Sequence, residues 1–191
     1  MVSRDRRVFL VARARAETRL RLLRTLGNNI RWGDGNVLPE GPCLLRAPGE
    51  IVLGDECRLR GGPVRSRFIT GPHGRIELGS RVGINCGAEF YAEQSIVIGD
   101  DSIFGIMVTI YDTSFHPVQE GEETKVAPVE IGTNVWVGRN AMIFPGTKIG
   151  DHSVIASGSI VTKEIPARVL AAGAPARVVR ELRASEGWQR G

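Results

Sequence analysis

Aromatic residues, cysteines and long apolar runs are all scarce in this chain of 191 residues. With only 2 Tyr, 3 Trp and 6 Phe, the core has to be built mainly from aliphatic side chains, and a long helical bundle is not expected. The 3 cysteines cannot all pair with one another and form no CxxC motif, which argues against a disulfide scaffold or a cysteine-based zinc site. No apolar run approaches the roughly 20 residues of a membrane-spanning helix. We therefore expect a soluble, cytoplasmic protein.

Positive charge is concentrated at the N-terminus. Residues 1–24 hold eight arginines against Asp5 and Glu17, so the rest of the chain carries a net charge of −2. The basic isoelectric point thus describes one segment and not a basic surface. Because no aromatic-rich basic stripe is present either, nucleic acid is not an expected partner.

Glycine, by contrast, is abundant, with 24 residues or about 13% of the chain against roughly 7% in average proteins. The second half also repeats every six residues, which is neither the period of a helix nor that of a simple strand. The first position of each hexad is a β-branched aliphatic residue: Ile131, Val137, Ile143, Ile149, Ile155 and Val161. The same frame appears less cleanly in residues 53–58, 78–89 and 98–109.

The repeat predicts a chain that coils around a triangular prism, with one hexad on each side and 18 residues in each turn. The aliphatic first positions point inward, and glycine or asparagine near the corners accepts backbone angles that a Cβ resists. We expect about five coils within residues 51–174. One segment, residues 112–128, is polar and out of register, and a loop of this length in a tight repeat indicates a function.

Two flanking segments complete the predicted organisation. Residues 1–50 form an N-terminal basic helix (4–26, ended by Gly27) and a lead-in, and residues 175–191 form a short C-terminal helix, with Pro175 in its first turn, and a tail that frays from Ser185. The arginine-rich helix is expected to keep a solvated face and to pack its leucines on the prism. Peripheral contact with a membrane surface and docking of a partner helix are the alternatives.

The ordered motifs of residues 131–180 resemble those of the hexapeptide-repeat acyltransferases, with the galactoside, maltose and capsular-sugar O-acetyltransferases as the nearest likeness. The likeness extends over about residues 76–182. Its specific parts are NVWVG, VTKEIP, AAGAPARV and a His116-Pro117 pair that opens the extended loop.

This resemblance implies an all-β, left-handed parallel β-helix that assembles as a homotrimer with active sites at the subunit boundaries. It implies acetyl-CoA as the acyl donor, no metal, and a sugar or glycan hydroxyl as the acceptor, as in polysaccharide biosynthesis. The alternatives are an N-acetyltransferase of an amino sugar or nucleotide-amino sugar, and a non-catalytic trimeric scaffold.

His116 matches the catalytic histidine of the family. A neutral imidazole is suited to take the proton of a hydroxyl as its oxygen attacks a thioester, because an alcohol is a poor nucleophile at neutral pH. A loop residue without chemistry is the alternative. The carbonic-anhydrase branch of the fold needs a second histidine five residues after the first, and this chain has Gly121 there.

Three residues are candidates for the acceptor side. Asn85 aligns with an asparagine that holds the substrate hydroxyl, although corner asparagines are common in this fold. Glu93 falls where a relative has an acidic sugar contact, and a surface role is the alternative. Asp112 either orients the imidazole of His116 or simply ends its strand.

The donor side carries over residue by residue from the family. Basic side chains suit the phosphates of CoA, a small side chain admits the pantetheine arm, and an indole packs on that arm or across the trimer boundary. A surface role is the alternative for each, and Arg139 stands where the family has a serine. The candidates are Trp136, Arg139, Ser157, Thr162, Lys163, Arg177 and Arg180.

Overall fold

The computed structural model describes residues 4–38, 41, 43–185 and 187–190, with side chains from Leu10 onward. One helix, α1 (Arg4–Thr25), precedes strands that we number in chain order. The strands are distributed over three sheets, A, B and C, which form the three sides of a prism.

Sheet A contains β1 (Ile30–Trp32), β3 (Glu50–Leu53), β6 (Arg75–Leu78), β9 (Ser95–Ile98), β12 (Val129–Ile131) and β15 (Lys148–Ile149). Sheet B contains β4 (Arg58–Leu59), β7 (Gly83–Ile84), β10 (Ile103–Phe104), β13 (Trp136–Val137), β16 (Val154–Ile155), β18 (Val169–Gly173) and β19 (Ala176–Glu181). Sheet C contains β2 (Leu44–Arg46), β5 (Arg67–Thr70), β8 (Glu89–Ala92), β11 (Thr109–Tyr111), β14 (Met142–Ile143) and β17 (Ile160–Val161).

Each coil passes through sheets A, B and C in turn, and each strand pairs in parallel with the same strand of the next coil. Ile131 pairs with Ile149, and Ile143 pairs with Val161. The first positions of all six hexads are at most 3% exposed and stack along the axis of the prism. The predicted fold, a left-handed parallel β-helix, is confirmed.

The coil count was underestimated, because the prism has about six coils rather than five. The additional coil comes from the segment that the sequence assigned to the lead-in. There, β1 and β2 pair with β3 and β5, although their residues show no hexad pattern. The division of the chain at residues 50 and 174 stays a prediction.

The predicted C-terminal helix is wrong, because residues 176–181 form strand β19. The chain reverses after Gly173, which has a φ of +105°, and β19 pairs antiparallel with β18. β18 would otherwise leave its backbone hydrogen-bonding groups unpaired at the end of sheet B. An antiparallel strand satisfies those groups directly, which a helix could not do.

Helix α1 lies at the N-terminal end of the prism. Its Leu20 is fully buried in the common core, and Gly27, with a φ of +84°, ends the helix as predicted. Leu22 and Leu26 stay more than half exposed, so only part of the leucine face packs on the prism. Within the described residues, no helix is both long and apolar enough to cross a membrane.

A ladder of aspartates stabilises the edge where sheet A turns into sheet B. Asp100 Oδ1 accepts a hydrogen bond of 2.8 Å from the backbone N–H of Ser80, and Asp151 Oδ1 accepts one of 2.7 Å from Thr133. The glycine at each such corner leaves room for this approach, because a Cβ added to Gly132 would lie 2.2 Å from Asp151 Oδ1. The Gly-Asp corners are therefore a structural device of the coil.

Candidate active site

Eight of the eleven predicted site residues fall on the two long edges that border sheet C. We call edge BC the row of turns that lead from sheet B into sheet C, and edge CA the row that leads from sheet C into sheet A. Asn85, Arg139 and Ser157 lie on edge BC, whereas Glu93, Asp112, His116, Thr162 and Lys163 lie on edge CA. One side of the prism, on the order of 15–20 Å of extended chain, separates the two edges.

His116 lies on edge CA at the start of the extended loop. The loop is held at its base by an antiparallel bridge between Thr113 and Val126. The backbone N–H of His116 donates to the carbonyl oxygen of Ser114 at 2.7 Å, and Ser114 Oγ donates to the carbonyl oxygen of His116 at 2.8 Å. The imidazole is exposed, as a group that must meet a bound substrate needs to be.

An aromatic cluster fixes the residue next to His116. The ring of Phe115 lies 5.0 Å from that of Tyr91 and 5.1 Å from that of Tyr111, measured between centroids. Phe115 also has a φ of +60°, which is uncommon for a bulky residue. Backbone strain of this kind persists where the surroundings impose it, so the cluster holds the loop in the conformation that presents His116.

Asp112 is fully buried, and its carboxylate serves the neighbouring coil. Its two oxygens accept hydrogen bonds from the backbone N–H groups of Glu93 and Gln94, both at 2.7 Å. Burial raises the pKa of Asp112, and these hydrogen bonds oppose the rise. In the described part of the chain no hydrogen bond joins Asp112 to His116, so the arrangement favours the alternative in which Asp112 ends its strand.

Glu93 lies one coil before Asp112 on the same edge. Its Oε2 accepts a hydrogen bond of 2.9 Å from the hydroxyl of Tyr91, and the pKa of Tyr91 is raised by burial and by this contact. Gly71 makes room for the carboxylate, because a Cβ added there would lie 2.4 Å from Glu93 Oε2. A half-buried carboxylate is thus held beside the loop of His116.

Asn85 lies on the opposite edge and is half-buried. Its Oδ1 accepts a weakly placed hydrogen bond of 3.1 Å from the backbone N–H of Cys86, the next residue. A single chain therefore does not bring Asn85 to His116. The two can meet only if they come from different copies of the chain.

The predicted donor-side residues also lie in different places. Trp136 projects from sheet B and is 47% exposed, while Arg139 and Ser157 occupy exposed turns of successive coils on edge BC. Ser157 stacks directly on Gly138, where an added Cβ would lie 2.8 Å from Ser157 Oγ. Their row runs toward the C-terminal end of the prism, where β19 carries Arg177 and Arg180.

Thr162 and Lys163 are exposed on edge CA of the last coils. Arg177 pairs with Ala172 on β18, and its Nη1 donates to the carbonyl oxygen of Ala176. Lys163 on edge CA and Arg177 and Arg180 on β19 of sheet B thus share one end of the prism but lie on different sides of it. The assignment of these residues to a bound CoA stays a prediction.

A basic cavity that was not predicted from the sequence lies on the outer face of sheet B, next to Asn85. The cavity has a volume of about 560 Å³, and its lining includes Arg58, Arg60, Arg81 and Arg190. The only indication in the sequence was that Arg58, Arg60 and Arg81 occupy outward positions in the early, irregular coils. Arg190 gave no signal at all, because residues 185–191 were expected to fray.

That expectation is wrong for residues 188–190, which pack against the prism. Asn134 anchors them: its Nδ2 donates to the carbonyl oxygen of Trp188 at 2.6 Å, and its Oδ1 accepts from the backbone N–H of Arg190 at 3.0 Å. Gln189 Nε2 donates to Asp101 Oδ2 at 3.0 Å. These specific polar contacts explain the order of a segment that has no hydrophobic pattern.

Among the residues that the structure describes, no three His, Cys, Asp or Glu side chains lie together in a way that could hold a metal ion.

Comparisons with known proteins agree with the fold and with the position of the repeat. The family described as Bacterial transferase hexapeptide (six repeats) matches residues 128–163. Galactoside O-acetyltransferase of Escherichia coli (strain K12) is 42% identical over 110 residues, which cover 52% of this chain and 54% of that protein. The chain spans about half the length of this curated relative and of the galactoside O-acetyltransferase of Lactococcus lactis.

Solved structures extend the likeness. A hexapeptide-repeat containing acetyltransferase from Vibrio cholerae, in complex with acetyl coenzyme A, is 30% identical with a TM-score of 0.55, covering 62% of this chain and 69% of that one. A mutant of AntD, an N-acyltransferase from Bacillus cereus, has a TM-score of 0.71 over 85% of this chain and 89% of that one, but at 20% identity it shows the fold alone. The repeat, the parallel prism and these relatives establish that the chain belongs to the hexapeptide-repeat acyltransferase family.

Proposed function

We propose that the protein is an acetyl-CoA-dependent O-acetyltransferase that acts on a hydroxyl group of a sugar or glycan. The observation that carries the proposal is the division of the candidate residues between two edges of one sheet, with an exposed histidine on one and an amide on the other. The relatives named as galactoside O-acetyltransferases, and the Vibrio cholerae structure with its bound acetyl coenzyme A, support the choice of donor and acceptor.

The active form proposed here is a cyclic homotrimer. In such a trimer, edge BC of one copy faces edge CA of the next, so that Asn85 and His116 line the same cleft. Exposed apolar residues on edge BC support this contact: Val64 and Met107, 46% and 45% exposed, flank Gly87 beside Asn85. A contiguous apolar surface of this kind is typical of an interface between subunits.

In the proposed reaction, His116 takes the proton of the acceptor hydroxyl as its oxygen attacks the thioester carbonyl carbon. Asn85 of the neighbouring copy holds that hydroxyl, and backbone N–H groups of the coil stabilise the oxyanion. The carbon–sulfur bond then breaks, and the departing sulfur takes the proton from the imidazolium to give CoA as the free thiol. The acetyl ester and CoA account for every atom of the two substrates.

The donor is proposed to lie along edge BC toward β19. There, Trp136 and Ser157 contact the pantetheine arm and Arg177 and Arg180 of the same copy neutralise the phosphates. Thr162 and Lys163 reach the donor from edge CA of the neighbouring copy, where Lys163 adds a further positive charge. Arg139 would contact the same arm from its own turn. We place the enzyme in the cytoplasm, since Cys43, Cys57 and Cys86 are buried free thiols.

Calorimetric titration of acetyl-CoA tests the donor side without knowledge of the acceptor. Saturable binding in the micromolar range is expected for the wild type, and a loss of at least tenfold in affinity for the Lys163→Ala, Arg177→Ala double variant. The Arg13→Gln, Arg15→Gln double variant, at exposed positions of α1, loses the same two charges and serves as the control. Undetectable binding to the wild type would leave the β-helix without a transferase activity and favour a trimeric scaffold.

The acceptor class is tested by following thiol release with matched hydroxyl and amino sugars. Release that depends on hydroxyl sugars supports the proposal. Release that requires an amine, and rises with the fraction of free amine as the pH is raised, would identify an N-acetyltransferase instead.

A further inference from the structure

The basic cavity of sheet B is built around a missing side chain. Four adjacent strands of sheet B, β4, β7, β10 and β13, each place one residue at an equivalent outward position. These residues are, in strand order, Arg58, Gly83, Ile103 and Trp136. A Cβ added to Gly83 would have no heavy atom of the described residues within 4 Å. Gly83 thus leaves an open floor between Arg58 on one side and Ile103 on the other.

The C-terminal segment borders this space, and Gln189 and Arg190 are part of its lining. Arg190 is held at the turns that lead from sheet A into sheet B, where its Nη2 donates to the carbonyl oxygen of His152 at 2.7 Å and its Nε to that of Asn134 at 3.3 Å. Its guanidinium also lies 4.7 Å from the centroid of the Trp188 ring. These contacts are to neutral groups, so they fix the position of the guanidinium without neutralising its charge.

Charge in the cavity is predominantly positive. Four arginines, at positions 58, 60, 81 and 190, face two carboxylates, those of Glu56 and Asp101. Asp101 is engaged by Arg81, with Nε to Oδ1 at 2.6 Å and Nη2 to Oδ2 at 2.8 Å. That bidentate pair is neutral as a unit, which leaves three arginines against Glu56 in the lining. It also fixes one wall, since Asp101 accepts a hydrogen bond from Gln189 of the C-terminal segment.

The position of the cavity relates it to the acceptor rather than to the donor. Asn85 is part of its lining, at the end of the strand that contains Gly83. The proposed phosphate contacts Arg177 and Arg180 lie on β19, five strand spacings from β7 in sheet B, or about 24 Å. A donor that extends from β19 toward Asn85 therefore ends where this cavity begins.

We propose that the cavity binds a phosphoryl group carried by the acceptor, so that the substrate class is a phosphorylated sugar. This inference rests on the proposed function and refines its acceptor. Guanidinium groups match the geometry of phosphate oxygens, and a volume of about 560 Å³ is in the range of small-molecule sites. Asn85 at the rim then receives the hydroxyl of the same molecule.

Calorimetric titration of the full-length wild type with hexose phosphates tests the proposal. The probes are the 1-phosphates and 6-phosphates of glucose and galactose, together with both parent hexoses, inorganic phosphate and galacturonate. At least one sugar phosphate is expected to bind at least tenfold more tightly than its parent hexose and than inorganic phosphate. Equal affinity for inorganic phosphate would overturn the assignment to an acceptor, and equal affinity for galacturonate would overturn the assignment to a phosphoryl group.

Variants then locate the binding in this cavity. Arg58→Gln and Arg190→Gln are each expected to weaken sugar phosphate binding about tenfold, as is typical when one charge-assisted contact is removed. Gly83→Val, at a position without positive φ, is expected to abolish binding by filling the floor. Arg13→Gln is the control and should bind as the wild type does.

Acetyl-CoA titration of the same variants separates this inference from the proposed function. Affinity for acetyl-CoA is expected to stay within about twofold of the wild type in Arg58→Gln and Arg190→Gln. A parallel loss of acetyl-CoA binding would assign the cavity to the donor and overturn the inference. A wild type that binds sugar phosphate but not acetyl-CoA would contradict the proposed function and leave the anion site standing.

Discussion

The two halves of the prism are built on the same plan but with different regularity. In the C-terminal half, 18 residues separate Ile131 from its partner Ile149 on sheet A. In the N-terminal half the corresponding separations are 21 residues from Ile30 to Ile51, 25 from Ile51 to Ile76, and 33 from Ile98 to Ile131. The extra residues leave the prism as excursions at its edges.

The cores of the two halves differ as well. Phe68, Phe90 and Phe104 stack edge to face in the N-terminal half, with ring centroids 5.1 and 5.7 Å apart, whereas β-branched aliphatic residues fill the C-terminal half. The regular half thus supplies the constant coils, while two of the candidate residues, His116 and Glu93, lie where extra residues interrupt the repeat.

The largest expected effect is on the catalytic rate and follows from removing the imidazole of His116, which lies in the longest excursion from the prism. His116→Ala should lower kcat about 10²- to 10⁴-fold, because general base catalysis contributes this much. His116 is exposed, so the free energy of unfolding and the affinity for acetyl-CoA should remain near those of the wild type. Steady-state thiol release measures kcat, with His73→Ala, in an exposed turn, as the control. Activity equal to that of the wild type would remove His116 from the mechanism.

Removal of an aromatic ring from the core of the N-terminal half should have the largest effect on stability. Phe90 is fully buried between Phe68 and Phe104, so Phe90→Ala should lower the free energy of unfolding by about 3–5 kcal/mol. Ile143→Val in the regular half should cost only about 0.5–1.5 kcal/mol. Urea denaturation at one fixed protein concentration compares them. A cost for Phe90→Ala no larger than that of Ile143→Val would contradict the packing of Phe90 between Phe68 and Phe104.

Two glycine substitutions are expected to differ in their cost to stability, because Gly132 lies at a crowded corner of the coil and Gly83 lies in the open cavity. Gly132→Ala should cost about 1–3 kcal/mol, because the new Cβ meets Asp151 and displaces the hydrogen bond of that residue to Thr133. Gly83→Ala should stay within about 0.5 kcal/mol of the wild type, since its Cβ enters open space. Thermal unfolding of both variants checks the contrast, which a similar loss in both would refute.

The smallest effect concerns the ion pair in the cavity wall. A hydrogen bond from Arg81 holds the pKa of Asp101 below its usual range. The stability that the ion pair of Asp101 with Arg81 contributes is therefore fully present above the ordinary aspartate pKa of about 3.9. It is lost as the pH falls through the lower pKa that Asp101 has in the folded protein. Partial exposure keeps that contribution below about 1 kcal/mol.

Asp101→Asn should thus be slightly less stable than the wild type at pH 7, and the difference should shrink as the pH is lowered through about 4. Urea denaturation at several pH values measures it. A difference that grows on acidification would contradict the assignment.

The sequence predicted the fold where coil length is constant and became less informative where it is not. The hexads from Ile131 to Val161 specify both the turns of the prism and the inward residues, because each position recurs in the same environment. β1 and β2 could not be predicted, because each pairs over only three residues. Their formation depends on β3 and β5 of the next coil, with which they pair, and not on a pattern in their own residues. β19 was misjudged because local propensity does not register the open sheet edge that recruits it.

Site residues show the same limit. The out-of-register segment pointed to His116, and the family resemblance named the remaining candidates. The use of both Asp112 oxygens by the backbone and the position of Arg190 beside sheet B depend on contacts between residues distant in sequence. Such contacts leave no periodic signal, so only the structure could locate them.

The central claim is that each active site is shared between two copies of the chain. It is tested most directly by co-expressing His116→Ala and Asn85→Ala chains with different tags and purifying the mixed trimers through both tags. In a cyclic trimer of mixed composition, one boundary of three unites an intact His116 with an intact Asn85, so the account predicts roughly one third of wild-type activity. Mixed trimers no more active than either inactive parent would contradict it.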